Sequence, residues 1–192
     1  MKKAILTAAL VLACAMPCQA ITADEWIAHA RSEADLLVNA IAELDEHYTK
    51  IGKMCVRIPD EWEFVEVEEG TGAYTYTCGE DLIAICCQDL AESVKNEDDM
   101  DYVWNELKSF WYGALSEANE TVLEGSTDDK IYDLDCHQDI FHYDNGGALA
   151  YCSSVSVKCY DFLGQFLYYT EDENAPTAEQ FYDVIANKTL YF

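Results

Sequence analysis

Asn145-Gly146 sits between two long runs rich in β-branched and aromatic residues, and no other feature constrains the fold as much. A two-residue primed turn needs φ > 0 at both central positions, which Asn-Gly supplies at little steric cost. The pattern predicts three consecutive strands: Ile131–Tyr143, Ala148–Tyr160 and Gln165–Thr170, with turns at 144–147 and near 161–164. Their Tyr, Val, Ile and Phe content suits a pleated, half-buried surface. Such an antiparallel meander must bury one face under other elements, and helices are the expected cover.

The rest of the chain supplies that cover. Thr22 and Glu25 form a capping box for a helix running to about Lys50, with an apolar stripe through Trp26, Ala30, Ala34, Leu37, Ile41, Leu44 and Tyr48. Met54–Ile58 reads as a strand and 66–72 as an acidic loop. Ala73–Cys78 and Asp81–Gln88 read as a hairpin about Gly79-Glu80, with Leu82–Cys87 buried on both faces. Asn96 is expected to cap one helix over 97–118. Thr121–Glu124 is a further strand and 125–129 a turn into the meander. Thr177 and Gln180 form a second capping box, opening a last helix with Phe181, Val184 and Ile185 inward, and Leu190-Tyr191-Phe192 is an apolar tail expected to dock. Strands in runs rather than in βαβ alternation predict α+β: an antiparallel sheet covered by helices, with an extra N-terminal amphipathic helix.

Residues 1–20 read as a signal peptide: Lys2-Lys3, an apolar stretch from Ala4 to Ala15, and cleavage expected after Ala20. Val11-Leu12-Ala13-Cys14 resembles a bacterial lipobox, and lipidation of Cys14 is the alternative. Either route exports the protein to the periplasm or beyond. The remainder fits one domain with a real core, divided as an N-terminal helix at 21–52 and an α+β domain at 53–192. The chain has 37 acidic residues against 11 basic ones, a net charge of −26. That excess argues against nucleic acid and anionic membrane as partners. It leaves a protein partner in the envelope or secreted space, cation binding, or simple solubility.

Seven cysteines follow the signal segment: Cys55, Cys78, Cys86, Cys87, Cys136, Cys152 and Cys159. An Asn145-Gly146 turn sets Cys136 opposite Val155, and a Gly79-Glu80 turn sets Cys78 opposite Asp81 and Cys86 opposite Ala73. No cysteine faces another, so mostly reduced, buried thiols are expected. No Cys/His spacing matches a zinc site.

Val56-Arg57-Ile58-Pro59-Asp60-Glu61-Trp62, the helix at 97–118, the meander and the ending Ala178–Ile185 together resemble the PsbP-like superfamily. This αβα sandwich also contains the Ran-binding Mog protein and exported bacterial proteins of unknown role. The resemblance spans about Lys53 to Phe192, and the helix at 22–50 falls outside its usual pattern. It implies a non-enzymatic binding or assembly module; separately, no cofactor is expected.

One local pattern suggests chemistry. Asp133, Asp135, His137 and Asp139 alternate, so on a strand they share a face and could meet a divalent cation such as Ca²⁺. Same-face neighbours stand about 6.5–7 Å apart, which needs a bend to bring four ligands onto one ion. A charged face on an acidic edge strand is the competing expectation. Tyr143, Tyr168 and Tyr169, if exposed, would suit a glycan or protein surface. A hydrolase would have to be built from His137 or His142 with Cys152 or Ser154 across the sheet. No nucleophile-elbow or phosphate-loop motif supports one.

Overall fold

The structure, a computed structural model, describes residues 48–172 together with Ser32, Leu36, Asn39, Ile185 and 189–191. Chain contacts divide the protein into Met1–Glu33 and Ala34–Phe192, and every element below belongs to the second unit. Seven antiparallel strands form the main sheet in the order β3-β4-β5-β9-β8-β7-β6. They are β3 (Glu63–Val67), β4 (Tyr74–Cys78), β5 (Asp81–Asp89), β6 (Thr121–Ile131), β7 (Leu134–Asp144), β8 (Leu149–Lys158) and β9 (Phe162–Thr170). A smaller sheet sets β2 (Met54–Arg57) between β1 (Tyr48–Ile51) and β10 (Leu190–Tyr191). Two helices lie between β5 and β6, α1 (Glu97–Leu107) and α2 (Phe110–Ala118), and Ser32, Leu36 and Asn39 are helical as well.

The α+β class and the antiparallel sheet stand as expected. Alternation puts Ile83 and Ile85 of β5 in one core with Phe166, Tyr168, Val155 and Val157, over which Met54, Val56 and Ile51 of the small sheet pack. Ala84 and Cys86 point the other way, into a core with Trp111, Phe141 and Leu167 under α2. Met100 and Trp104 of α1 pack there on Leu163. On the first face the described cover is thus a small sheet. The expected last helix lies outside the described residues except for Ile185, which is buried in that core. Leu190 and Tyr191 dock as expected, against Cys55 and Met54. The signal segment, Cys14 and both capping boxes also lie outside the described residues.

Several boundaries differ from expectation, each for a local reason. Tyr48–Lys50 is strand, not helix end: it pairs with β2 through the turn at Gly52, where φ is +58° and an added Cβ would sit 2.7 Å from the Cys87 side chain. Glu63–Val67 is the edge strand β3, hidden in the sequence by its glutamates. The 97–118 stretch is two helices broken at Lys108-Ser109. Asn96 caps the first, accepting from the Asp99 N–H at 3.0 Å. Residues 125–129 are not a turn. β6 runs unbroken through them, and the chain reverses at Tyr132-Asp133, both at positive φ (49° and 69°). The Gly79-Glu80 register holds, with Cys78 opposite Asp81. The next loop spends four residues, the Asn145 N–H donating to the Ala148 carbonyl, so Cys136 faces Val157 rather than Val155. That shift moves the partner by two positions and keeps every side chain on its face.

Candidate functional site

The helix break lies over a polar seam that crosses the sheet. Strand registers line up Cys86, Gln165, Ser156, His137 and Asp128 as direct neighbours from β5 to β6. A second row beside it holds Ser154, Asp139 and Ser126. Gln165, Ser156, Ser154, His137 and Asp139 are all buried. Burying polar groups costs free energy unless each finds a partner, so the seam is a network rather than a core.

Its partners come from the break above it. The Gln165 amide donates to the Leu107 carbonyl at 3.0 Å, an acceptor left over at the end of α1, while Cys86 Sγ donates to the other end of the amide. Ser109 precedes α2 but makes no capping bond with its side chain. Its Oγ lies instead 3.2 Å from His137 Nε2. His137 Nε2 is also 3.0 Å from Asp139 Oδ1, and Nδ1 is 2.6 Å from Asp128 Oδ1. Ser126 Oγ donates to Asp139 Oδ1 at 2.5 Å, and Lys108 Nζ stands 3.6 Å from Asp128. Asp139 is 1% exposed, and its Oδ2 is buried with no hydrogen-bond partner.

The electrostatics follow. Hydrogen bonding to Asp139 raises the His137 pKa above its ordinary value; burial opposes this and Asp128 adds to it. Burial pushes Asp139 up, but bonds from His137, Ser126 and Ser109 outweigh it and hold the carboxyl below its usual range. The bond to His137 lowers Asp128. Each ring nitrogen of His137 therefore faces a carboxylate, an arrangement that favours the imidazolium over the neutral ring. The order Ser109–His137–Asp128 has the connectivity of a nucleophile triad. Asp139, however, occupies the nitrogen that would take the serine proton, so Nε2 stays protonated and Ser109 stays unactivated.

The four residues singled out in sequence do not converge. Asp133 is in the β6–β7 turn, and Asp135 is drawn to Lys130 at 2.7 Å. His137 and Asp139 do meet, through each other. They lie on an interior strand, since β6 forms the edge. Among the described residues no group of three or more His, Cys, Asp or Glu is disposed to hold a metal ion. Ser109, Ser126, Asp128 and Lys108 carry no such sequence signal: the pattern puts Ser126 and Asp128 in a turn and Lys108 and Ser109 in mid-helix, whereas the chain places the first two in β6 and the last two at a helix break.

Tyr143 and Tyr168 are buried rather than exposed, and the Tyr169 hydroxyl bonds Asn145 and Glu171. His137 faces Ser156 and His142 faces Tyr151, so neither pairs with Cys152 or Ser154. Burial pushes the Cys152 and Cys86 thiols up to about 12, which leaves them inert as nucleophiles. Cys55, Cys136 and Cys159 are buried as well, in keeping with their expected role as small hydrophobes.

No family model matches the chain, and no curated protein matches it. Solved structures do. The cyanobacterial PsbP protein (CyanoP) of Synechocystis superposes with a TM-score of 0.56 at 12% identity, over 76% of this chain and 91% of that one. LpqN, described as involved in cell envelope biogenesis of Mycobacterium tuberculosis, gives 0.53 at 16% identity over 71% and 81%. A Bacteroides thetaiotaomicron protein gives 0.50 at 12% identity over 74% of this chain but only 47% of its own length. At such identities the likeness defines the architecture, and that architecture is the PsbP-like fold.

Proposed function

We propose that this chain is an exported, non-catalytic binding or assembly module of the bacterial cell envelope, which engages a protein partner through its acidic surface. The observation that carries the proposal is His137. Among the described residues, the arrangement that resembles a catalytic centre has its histidine held between Asp139 and Asp128, which favours a binding surface over a reactive group as the working part. The charge of −26 supports a basic protein as partner over nucleic acid or anionic lipid. The likeness to LpqN is in keeping with an envelope role.

The test is binding of the purified mature protein to envelope fractions of its native host across a salt series. Between about 0.1 M and 1 M salt the screening length falls from about 10 Å to about 3 Å, and binding should fall steeply with it. Absent or salt-insensitive binding overturns the proposal. Calcium is expected to leave the melting temperature unchanged, because the His137 ring already stands between Asp128 and Asp139 and bonds both. A clear rise with added Ca²⁺ would restore the cation-binding alternative.

A further inference from the structure

The two edges of the main sheet are β3 and β6, and β3 is built unlike a strand that only needs to be kept from aggregating. All five of its residues are exposed, and among the described residues it pairs with β4 alone. Among the described residues nothing pairs with its outer backbone groups, the usual template for an added strand. Side chains on β3 are sorted by face. Phe64 lies opposite Tyr76 and Val67 opposite Tyr74, on the apolar side, where Phe64 meets both tyrosine rings at 5.5 and 6.3 Å. Glu63 lies opposite Thr77 and Glu66 opposite Thr75, on the other side. Val65 is the extra residue at a bulge between them. Phe64, Val65 and Val67 are 56%, 51% and 44% exposed.

Glu63 and Glu66 lie on this strand, Asp60, Glu61, Glu68 and Glu69 flank it in sequence, and no Lys, Arg or His occurs from 58 to 94. A second copy of the strand would bring carboxylates against carboxylates, which is unfavourable across a sheet. The same charges favour a strand of opposite character. We propose that β3 is a docking edge for an extended segment of the partner in which basic and apolar side chains alternate. The segment adds as an eighth strand beyond β3. Its Lys or Arg residues lie beside Glu63 and Glu66, and its apolar residues beside Phe64 and Val67. Main-chain hydrogen bonds give the affinity and the two faces give the selectivity. The inference rests on the proposed binding role and supplies its surface and the chemistry of its partner.

The probe is a synthetic ten-residue peptide alternating lysine and valine with blocked ends. Titration into the isotope-labelled mature protein is followed by amide NMR shifts and amide exchange. Shifts and protection should concentrate in 63–67 and 74–78. The Glu63→Lys/Glu66→Lys variant should weaken binding by roughly tenfold or more, since two favourable cross-strand pairs become repulsive. A Glu117→Lys/Glu120→Lys variant, with the same charge change at exposed positions far along the chain, should leave it within about twofold. Phe64→Ser tests the apolar face independently of charge and should also weaken binding. Shifts spread over the acidic surface, equal loss in both lysine variants, or equal binding of a proline-interrupted peptide would overturn the docking edge. If Glu63→Lys/Glu66→Lys still binds envelope fractions like the parent, the edge is wrong and the binding role survives. If the parent itself does not bind them, the role fails whatever the peptide does.

Discussion

The two faces of the main sheet solve the problem of burial in opposite ways. On one, Ile83, Ile85, Val155, Val157 and Phe166 form an apolar floor under the small sheet. On the other, α1 and α2 each cover an apolar cluster, and the rows from Gln165 to Asp128 run between those clusters. The first face is held by surface removed from water, which is non-directional and tolerates drift. The second is held by partners that must be met one by one, so it fixes where the helices break and which way Ser109 turns. One face supplies stability, then, and the other supplies register.

The sharpest way to break that contrast is to damage the apolar face. Phe166 is fully buried among its neighbours, and Phe166→Ala should cost about 3–5 kcal/mol, read as a lowered denaturant midpoint. A loss below about 1 kcal/mol would mean that this face is loosely packed and that the assignment of roles is wrong.

On the polar face the prediction concerns non-additivity. His137→Leu leaves Asp139 charged and buried without its main partner, at a cost of about 3 kcal/mol. Adding Asp139→Leu removes the stranded charge, and the double variant should regain most of that loss, with a coupling of at least about 1 kcal/mol in a double-mutant cycle. Additive losses would show that the seam carries stability in its own right.

How much of this contrast could be seen in the sequence depends on the kind of signal each face leaves. The apolar face was legible, because Leu82–Cys87 is an uninterrupted apolar run and Gly79-Glu80 set its register correctly. The polar face left half a signal. His137 and Asp139 stood out by their period of two, but their partners did not. Asp128 and Ser126 belong to a strand whose Gly-Ser-Thr-Asp-Asp composition imitates a turn. The real turn uses Tyr132 and Asp133 at positive φ, where tyrosine gives no warning and only aspartate is tolerated locally. Ser109 was invisible because the apolar stripe of the helix continues on both sides of it. The break is made by bonds from Gln165, 58 residues away in sequence, and His137, 28 away.

Proton linkage gives a smaller effect that separates the two faces, since the buried histidine and its carboxylates lie on the polar one. His137 is raised in the fold, so its contribution is complete below its ordinary value near 6.5 and is lost as pH rises through the folded value. Asp139 and Asp128 are lowered, so theirs is present above about 3.8 and lost as pH falls through the folded values. The stability of the parent relative to the His137→Leu/Asp139→Leu variant should therefore peak between pH 4 and 6.5 and decline on both sides. A difference flat from pH 5 to pH 9 would mean that folding leaves the proton affinity of His137 unchanged, and a difference that rises with pH through about 6.5 would mean that His137 is neutral in the fold.

The smallest effect isolates the helices themselves. Asn96 and Ser109 occupy equivalent positions before α1 and α2, but only Asn96 bonds its own helix, while Ser109 serves His137. Asn96→Ala should cost about 1 kcal/mol at pH 5.5 and at pH 9 alike, because the capping bond it loses joins an amide oxygen to a backbone N–H, neither of which titrates. Ser109→Ala should cost a similar amount, about 1 kcal/mol, at pH 5.5 and less as pH rises through the folded value of His137, which is raised. Melting curves of both variants at pH 5.5 and pH 9 make the distinction. If the two respond alike, Ser109 is an ordinary cap, and the helix break owes nothing to the seam beneath it.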